Sequence, residues 1–358
     1  MKKIFYFLSV FLVFNVWFLI FSMVAFAHDW STQGPFEIRT QNPVYLQTVT
    51  LTPGRATTVG FGVLDVRVDS AFSNLYERDS SLTADENLDM ELWRLNFVGT
   101  YGFAPDFEGG IEVPLLHFGG GFLDGFIQDY HNFFGFPNGG RDQVANGIFN
   151  YRVSKNGRTV YQVSSENIGL GDISLFLKHQ LVTEETYLPA VAWRFIFKLP
   201  TGNSVDGLGS GSPGFGLGVA LEKSYKRIHG YLNTNYLMDG GNNKLGDLMN
   251  SAVFDFSLAG EFSFSKRVSG ILQLVGGTPR LKNLIIETWD GVPLDLIVGV
   301  RGDQPWGKPL NPFYWQVAFS EDVLAVGPSV DFTAWISVGF RFQAHHPDVY
   351  KGDFFARR

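Results

Sequence analysis

The stretch DFTAWISVGFRF, residues 331–342, alternates without a break. Phe332, Ala334, Ile336, Val338, Phe340 and Phe342 share one parity, and Asp331, Thr333, Trp335, Ser337, Gly339 and Arg341 the other. Successive side chains of a strand point to opposite faces, so this segment is a strand with one greasy face and one wet one. The pattern recurs upstream. Leu64, Val66 and Val68 alternate with Asp65, Arg67 and Asp69, and Val191, Trp193, Phe195, Phe197 and Leu199 with Ala192, Arg194, Ile196 and Lys198. Phe254, Phe256, Leu258, Phe262 and Phe264 alternate with Asp255, Ser257, Ala259, Glu261 and Ser263. Segments of about ten residues suit strands that cross a bilayer at a tilt.

A soluble β-sandwich also alternates, and the connections separate the two architectures. About twelve strands are expected, at 59–73, 88–103, 107–116, 168–181, 187–199, 214–223, 228–238, 251–264, 268–276, 293–301, 312–320 and 329–342. Short links follow the even-numbered strands, and long ones (74–87, 117–167, 200–213, 239–250, 277–292) follow the odd-numbered strands. Only 302–311 breaks the rule. Short turns at one rim and long loops at the other mark outer-membrane barrels. In hydrocarbon every backbone N–H and C=O must be paired within the protein, so a spanning sheet has to close. The expected fold is all-β: a closed antiparallel transmembrane β-barrel with one amphipathic helix in a long extracellular-side loop.

Composition agrees. Aromatic residues make up 16% of the 358 and glycine contributes 41, which suits strands greasy on one face with aromatics at a membrane boundary. Lys2 and Lys3, an apolar run over 4–24 and Ala25-Phe26-Ala27 before His28 form a secretory signal peptide over 1–27. The run is also long enough to span a bilayer, so an uncleaved anchor is the alternative. Cleavage removes two positive charges and takes the net charge from −7 to −9, which argues against a nucleic-acid partner. No cysteine is present. The expected organisation is a signal peptide (1–27), a periplasmic N-terminal segment (28–58), the barrel (59–342) and a C-terminal tail (343–358).

The loop 117–167 holds GGGFLDGFIQDYHNFFGFPNGGR (119–141). On a helical wheel of 122–134, Phe122, Leu123, Phe126, Ile127, Tyr130, Phe133 and Phe134 form one arc, against Asp124, Gln128, Asp129, His131 and Asn132. Three roles compete: packing over loops or rim, a constriction folded into the lumen, and an interfacial helix in the outer leaflet. Phe122, Phe126, Tyr130, His131 and Phe133 are the candidates for a constriction or plug. Asp124 and Asp129, with no Lys or Arg on the helix, weaken the interfacial reading.

Inward-parity charges are mixed in sign, with Arg67, Arg194, Asp255, Glu261 and Arg341 as candidate lumen-facing residues. A strongly selective pore would carry one sign, so mixed signs fit a wet channel or a lumen filled by paired charges. Neither the seven histidines nor the Gly-rich 207–218 form a metal, nucleotide or nucleophile motif. No catalytic residue, cofactor or metal is expected.

Six stretches resemble one bacterial family, the domain of unknown function 3187. They are GPFEIRTQNPVYLQ (34–47), SNLYE (73–77), LDMELWR (88–94), the 119–141 block, GLGD (169–172) and KLPTG (198–202), and the likeness runs from about 34 to 342. KLPTG is shared by several outer-membrane families. The resemblance implies a Gram-negative outer-membrane barrel and carries no catalytic residues, because the family has none defined. The functional expectation is a passive channel or transporter for a small molecule, an apolar one among the options. A lipid-modifying enzyme and a structural or assembly barrel are the alternatives. Outer-membrane lipid, lipopolysaccharide and the solute are the expected partners.

Overall fold

The computed structural model describes residues 32–343, except 136–139, 241–245, 283–290, 306–311, 324–329 and 331. The signal peptide and the tail beyond Gln343 lie outside the described residues. Twelve strands form a ring: β1 (Val63–Ser80), β2 (Ala84–Ala104), β3 (Phe107–Gly119), β7 (Ser174–Val182), β8 (Ala190–Lys198), β9 (Gly214–Tyr225), β10 (Ile228–Asp239), β11 (Ala252–Ser263), β12 (Val268–Gly277), β13 (Leu294–Pro305), β14 (Pro312–Asp322) and β15 (Phe332–Gln343). Each pairs antiparallel with its neighbours, and β1 closes on β15 from Val63 opposite Gln343 to Asn74 opposite Phe332. No edge is left in the ring.

The opening stretch sits as its parity requires. Ile336 is 57% exposed while Trp335 beside it is 1% exposed. Val66, Phe97, Ile111, Leu217, Phe254, Leu272, Val298 and Val317 likewise face outward. In a water-soluble protein such a girdle would be an unpaid apolar surface; in lipid it is the matched face. Aromatics gather at the short-turn rim: Phe107 stacks on His179 at 3.8 Å, and Trp193 Nε1 donates to His179 Nδ1 at 3.0 Å.

Several boundaries differ from the sequence reading. The expected long loop 74–87 is a continuation of β1 and β2, turning at 81–83. There the alternation inverts: Leu75, Leu88, Met90 and Leu92 are buried inside, while Asn74, Tyr76, Glu91 and Asp89 take the outward parity. The outward Asn74 and Glu91 do not face water: they are 1% and 4% exposed, covered by the loop that follows β3. The long loop also contains a second hairpin, β4 (Asn150–Lys155) and β5 (Arg158–Val163), which pairs with β2 through β4. Its turn is Asn156-Gly157, with φ of 51° and 72°, the left-handed pair that a two-residue hairpin needs. The strand expected over 168–181 is two, β6 (Asn167–Leu170) and β7, broken at 171–173 and both paired to β3. A longer β13, ending at Pro305, shortens the anomalous 302–311 link to 306–311.

The largest correction concerns 28–58. From residue 32 onward this segment is not outside the barrel; it runs through the lumen. It rises along β11–β13, turns at a short helix α1 (Pro43–Leu46) and descends along β8–β10. Asn42 Oδ1 caps α1 by accepting from Val44 N at 3.0 Å, and Pro43 opens it. Val44 and Leu46 at the tip pack into an apolar core with Leu88, Met90, Tyr151, Val153, Tyr161 and Leu208. That core roofs the barrel at the long-loop rim.

Candidate functional site

An extended chain inside a barrel has no neighbouring strand, so its backbone groups must be satisfied by side chains. The wall supplies them from both signs of charge. Carboxylates and amides accept from the segment's N–H groups: Glu261 from Gln33 and Gly34 (2.9 and 3.0 Å), Gln273 from Phe36 (2.8 Å), Asp239 from Val49 (2.6 Å), Asn233 from Gly54 (3.1 Å), Glu222 from Ala56 (3.2 Å) and Glu108 from Val59 (2.6 Å). Cations and amides donate to its carbonyls: Arg301 to Pro35 (3.1 Å), Lys198 to Gln47 (2.8 Å), Asn235 to Leu51 (2.9 Å), Arg194 to Thr52 (2.6 Å) and Lys178 to Thr57 (2.7 Å). The mixed lumen charge follows from this: a backbone needs donors and acceptors alike.

Ion pairs complete the seat. Arg55 meets Glu222 and Glu37 meets Arg67, each at 2.5 Å, and Arg67 also reaches Asp69 at 2.7 Å. Arg39 ties the tip to itself by donating to the carbonyls of Tyr45 and Thr48 (2.6 and 3.0 Å). The segment leaves at the short-turn rim, where Gly62 N donates to Gly102 O at 2.7 Å. A Cβ on Gly102 would lie 1.9 Å from Gly60 O, so only glycine permits this approach.

Two of the quoted motifs meet in one joint. Lys198 of KLPTG is 2% exposed and contacts Asp172 of GLGD at 3.2 Å, Asp239 at 3.0 Å and the hydroxyl of Ser210. Asp172 also accepts from Gly202 N and Ser210 N (2.8 and 3.0 Å), pinning the loop after β8. Above it, Gln47 Nε2 donates to the Tyr161 hydroxyl at 2.8 Å. Burial pushes the Tyr161 hydroxyl up to about 12 and Tyr151 well above its ordinary range, so both stay protonated.

The five candidate lumen residues lie on the inner wall and are occupied. Arg67 and Glu261 hold the segment as described, and Arg194 bonds Thr52 O and Asn233 Oδ1 (2.6 and 2.8 Å). Asp255 pairs with Arg280 at 2.6 Å and Arg341 with Asp65 at 2.8 Å.

The candidate constriction helix is elsewhere. Helix α2 (Asp124–Phe134) lies against the outer face of the wall at the long-loop rim. Asn74 and Glu91 oppose each other on the outward parity of β1 and β2. Asn74 donates to Asp124 at 3.1 Å, Arg141 pairs with Asp124 at 2.9 Å, and Glu91 accepts from the backbone N–H of Phe122 at 2.6 Å and from that of Leu123. A carboxylate at the start of a helix also complements its dipole. Phe122 stacks near Phe72 of the lipid-facing parity, 5.7 Å between ring centres, and Phe122 and Phe133 are 78% and 82% exposed. A plug would bury them. Side chains of Phe126, Tyr130 and His131 lie outside the described set.

What narrows the lumen is therefore the N-terminal segment. Between it and the wall of β1–β3, β7, β8 and β13–β15 remains a cavity of about 170 Å³, lined by Glu37, Arg67, Glu112, Arg194, Arg301 and Tyr314 among others. A second space of about 10 Å³ toward the long-loop rim shares Glu112 and is lined by Arg39, Arg94 and Lys198. Both are polar. The histidine best placed for chemistry, His229, bonds Ser263 at 3.1 Å, yet among the described residues no acid bonds its buried Nδ1 as the orienting member of a triad would. Among the described residues no group of three or more acids or histidines could hold a metal.

Closed, greasy outside and charged inside, the molecule is a β-barrel of the outer-membrane type. It belongs to the family described as protein of unknown function (DUF3187), which matches residues 12–342. Among solved structures it is similar to the COG4313 outer membrane channel from Pseudomonas putida F1, at 15% identity and a TM-score of 0.53, covering 82% of this chain and 100% of that one. The NanC porin (9% identity, TM-score 0.41, 78% and 98% covered) is a more distant likeness. So is the translocator domain of the autotransporter NalP from Neisseria meningitidis (12%, 0.40, 79% and 89%). At such identities the likeness speaks for the fold alone. No curated protein matches the chain.

Proposed function

We propose that the protein is a channel in the outer membrane of a Gram-negative bacterium, exported by its signal peptide and narrowed by its own N-terminal segment. The single observation that carries this reading is a closed barrel whose polar lumen holds residues 32–60 yet keeps a polar cavity of about 170 Å³ beside them. Tight packing on the wall would serve a scaffold; a wet, charged gap along the wall serves passage. The charged lining also favours a small polar solute over the apolar one that the sequence allowed, since a bare apolar molecule would have to desolvate these groups. Planar-bilayer recording of the full chain and of a variant lacking 36–56 tests it. Small or rare openings in the full chain and large steady conductance in the deletion variant are expected. A deletion variant that is folded, by its heat-dependent gel mobility, and still silent would overturn the channel reading in favour of a scaffold.

A further inference from the structure

The larger cavity is not lined evenly by paired charges. Its cations Arg55, Arg67, Lys178 and Arg341 each meet a carboxylate within 4 Å. Arg194 and Arg301 do not: among the described residues their hydrogen bonds go to Asn233, Thr52 O and Pro35 O. Arg301 is 4% exposed, and its Nε is buried with no hydrogen-bond partner. The carboxylate that acts most strongly on both arginines is Glu37, which is itself in an ion pair with Arg67, and a planar guanidinium fork matches a carboxylate or phosphate in shape and charge. Both guanidinium groups are hydrogen-bonded only to neutral oxygens, and six cations against four carboxylates (Glu37, Asp65, Glu108 and Glu112) line the cavity, an excess of two positive charges. Solvent reaches the cavity from the short-turn rim, where the side chains of Arg55 and Arg341 are 32% and 38% exposed.

We propose that this cavity is a binding site for a small oxyanion, a carboxylate or a phosphate, held by Arg194 and Arg301 between the inserted segment and the wall. The inference deepens the channel reading by naming the class of solute, and it is tested without conduction. Titration calorimetry of the full-length protein in detergent, with inorganic phosphate and with citrate as separate probes, should give saturable binding of at least one. An Arg194→Gln/Arg301→Gln variant should weaken it at least about tenfold, the loss of a charge-assisted hydrogen bond or more. Arg158→Gln, on exposed β5, should bind as the parent does. No saturable binding of either probe, or unchanged binding by the folded double variant, overturns the proposal, as would equal loss in Arg158→Gln. A silent barrel that binds phosphate removes the channel and leaves the site; a conducting barrel that binds neither probe does the reverse.

Discussion

Lys198 shows how much rests on single side chains. Its ammonium is shared among Asp172, Asp239, Ser210 and the Gln47 carbonyl, so it joins the wall, the loop after β8 and the inserted segment. Lys198→Met keeps the length of the side chain and strands two buried carboxylates. A loss of about 3–5 kcal/mol is expected, read as a lower urea midpoint for unfolding from lipid vesicles. A midpoint equal to the parent's would show that the joint is decorative. The inward placement of Lys198 was legible from parity. Its partners were not, because Asp172 and Asp239 are distant in sequence and nothing local marks them.

At the scale of elements, strands were readable wherever lipid lies on one side and water on the other, as over 254–264 and 331–342. Legibility failed where that contrast stops. Above the hydrocarbon β1 and β2 invert their pattern, so apolar-out alternation does not mark 74–87 as strand. The β4–β5 hairpin carries a local signal, Asn156-Gly157 between alternating Tyr151, Val153 and Tyr161, Val163, but nothing local marks its pairing with β2. The helix itself was legible as amphipathic, but its place was not: the sidedness came from Asn74, Glu91 and Arg141, whose outward cluster only the fold assembles. From that place α2 should touch the outer leaflet. Phe122→Trp and Phe133→Trp should each be quenched by brominated lipid in vesicles and be little affected by aqueous iodide. Strong iodide quenching with none by brominated lipid would put α2 in water.

At the scale of the whole molecule, the closed barrel came from backbone physics and the mixed lumen charge, and what fills it came from neither. Residues 28–58 have no strand period, which on sequence alone reads as a periplasmic lead-in. The fold turns its backbone polarity to use. Wall acids take the N–H groups, wall cations take the carbonyls, and the apolar tip of α1 enters the roof formed by β1, β2, β4 and β5. One segment thereby couples the short-turn rim, the lumen and the long-loop cap.

That seating can be measured in the intact membrane. The chain has no cysteine, and a Cβ built on Gly214 lies 2.9 Å from Cβ of Val49, close enough for a disulfide after a small adjustment. A Val49→Cys/Gly214→Cys variant should cross-link on mild oxidation in outer-membrane preparations, giving a fast-migrating species that reductant reverses and leaving no thiol for maleimide. A folded barrel in which both thiols stay free and accept maleimide would place the segment outside the lumen and contradict the account.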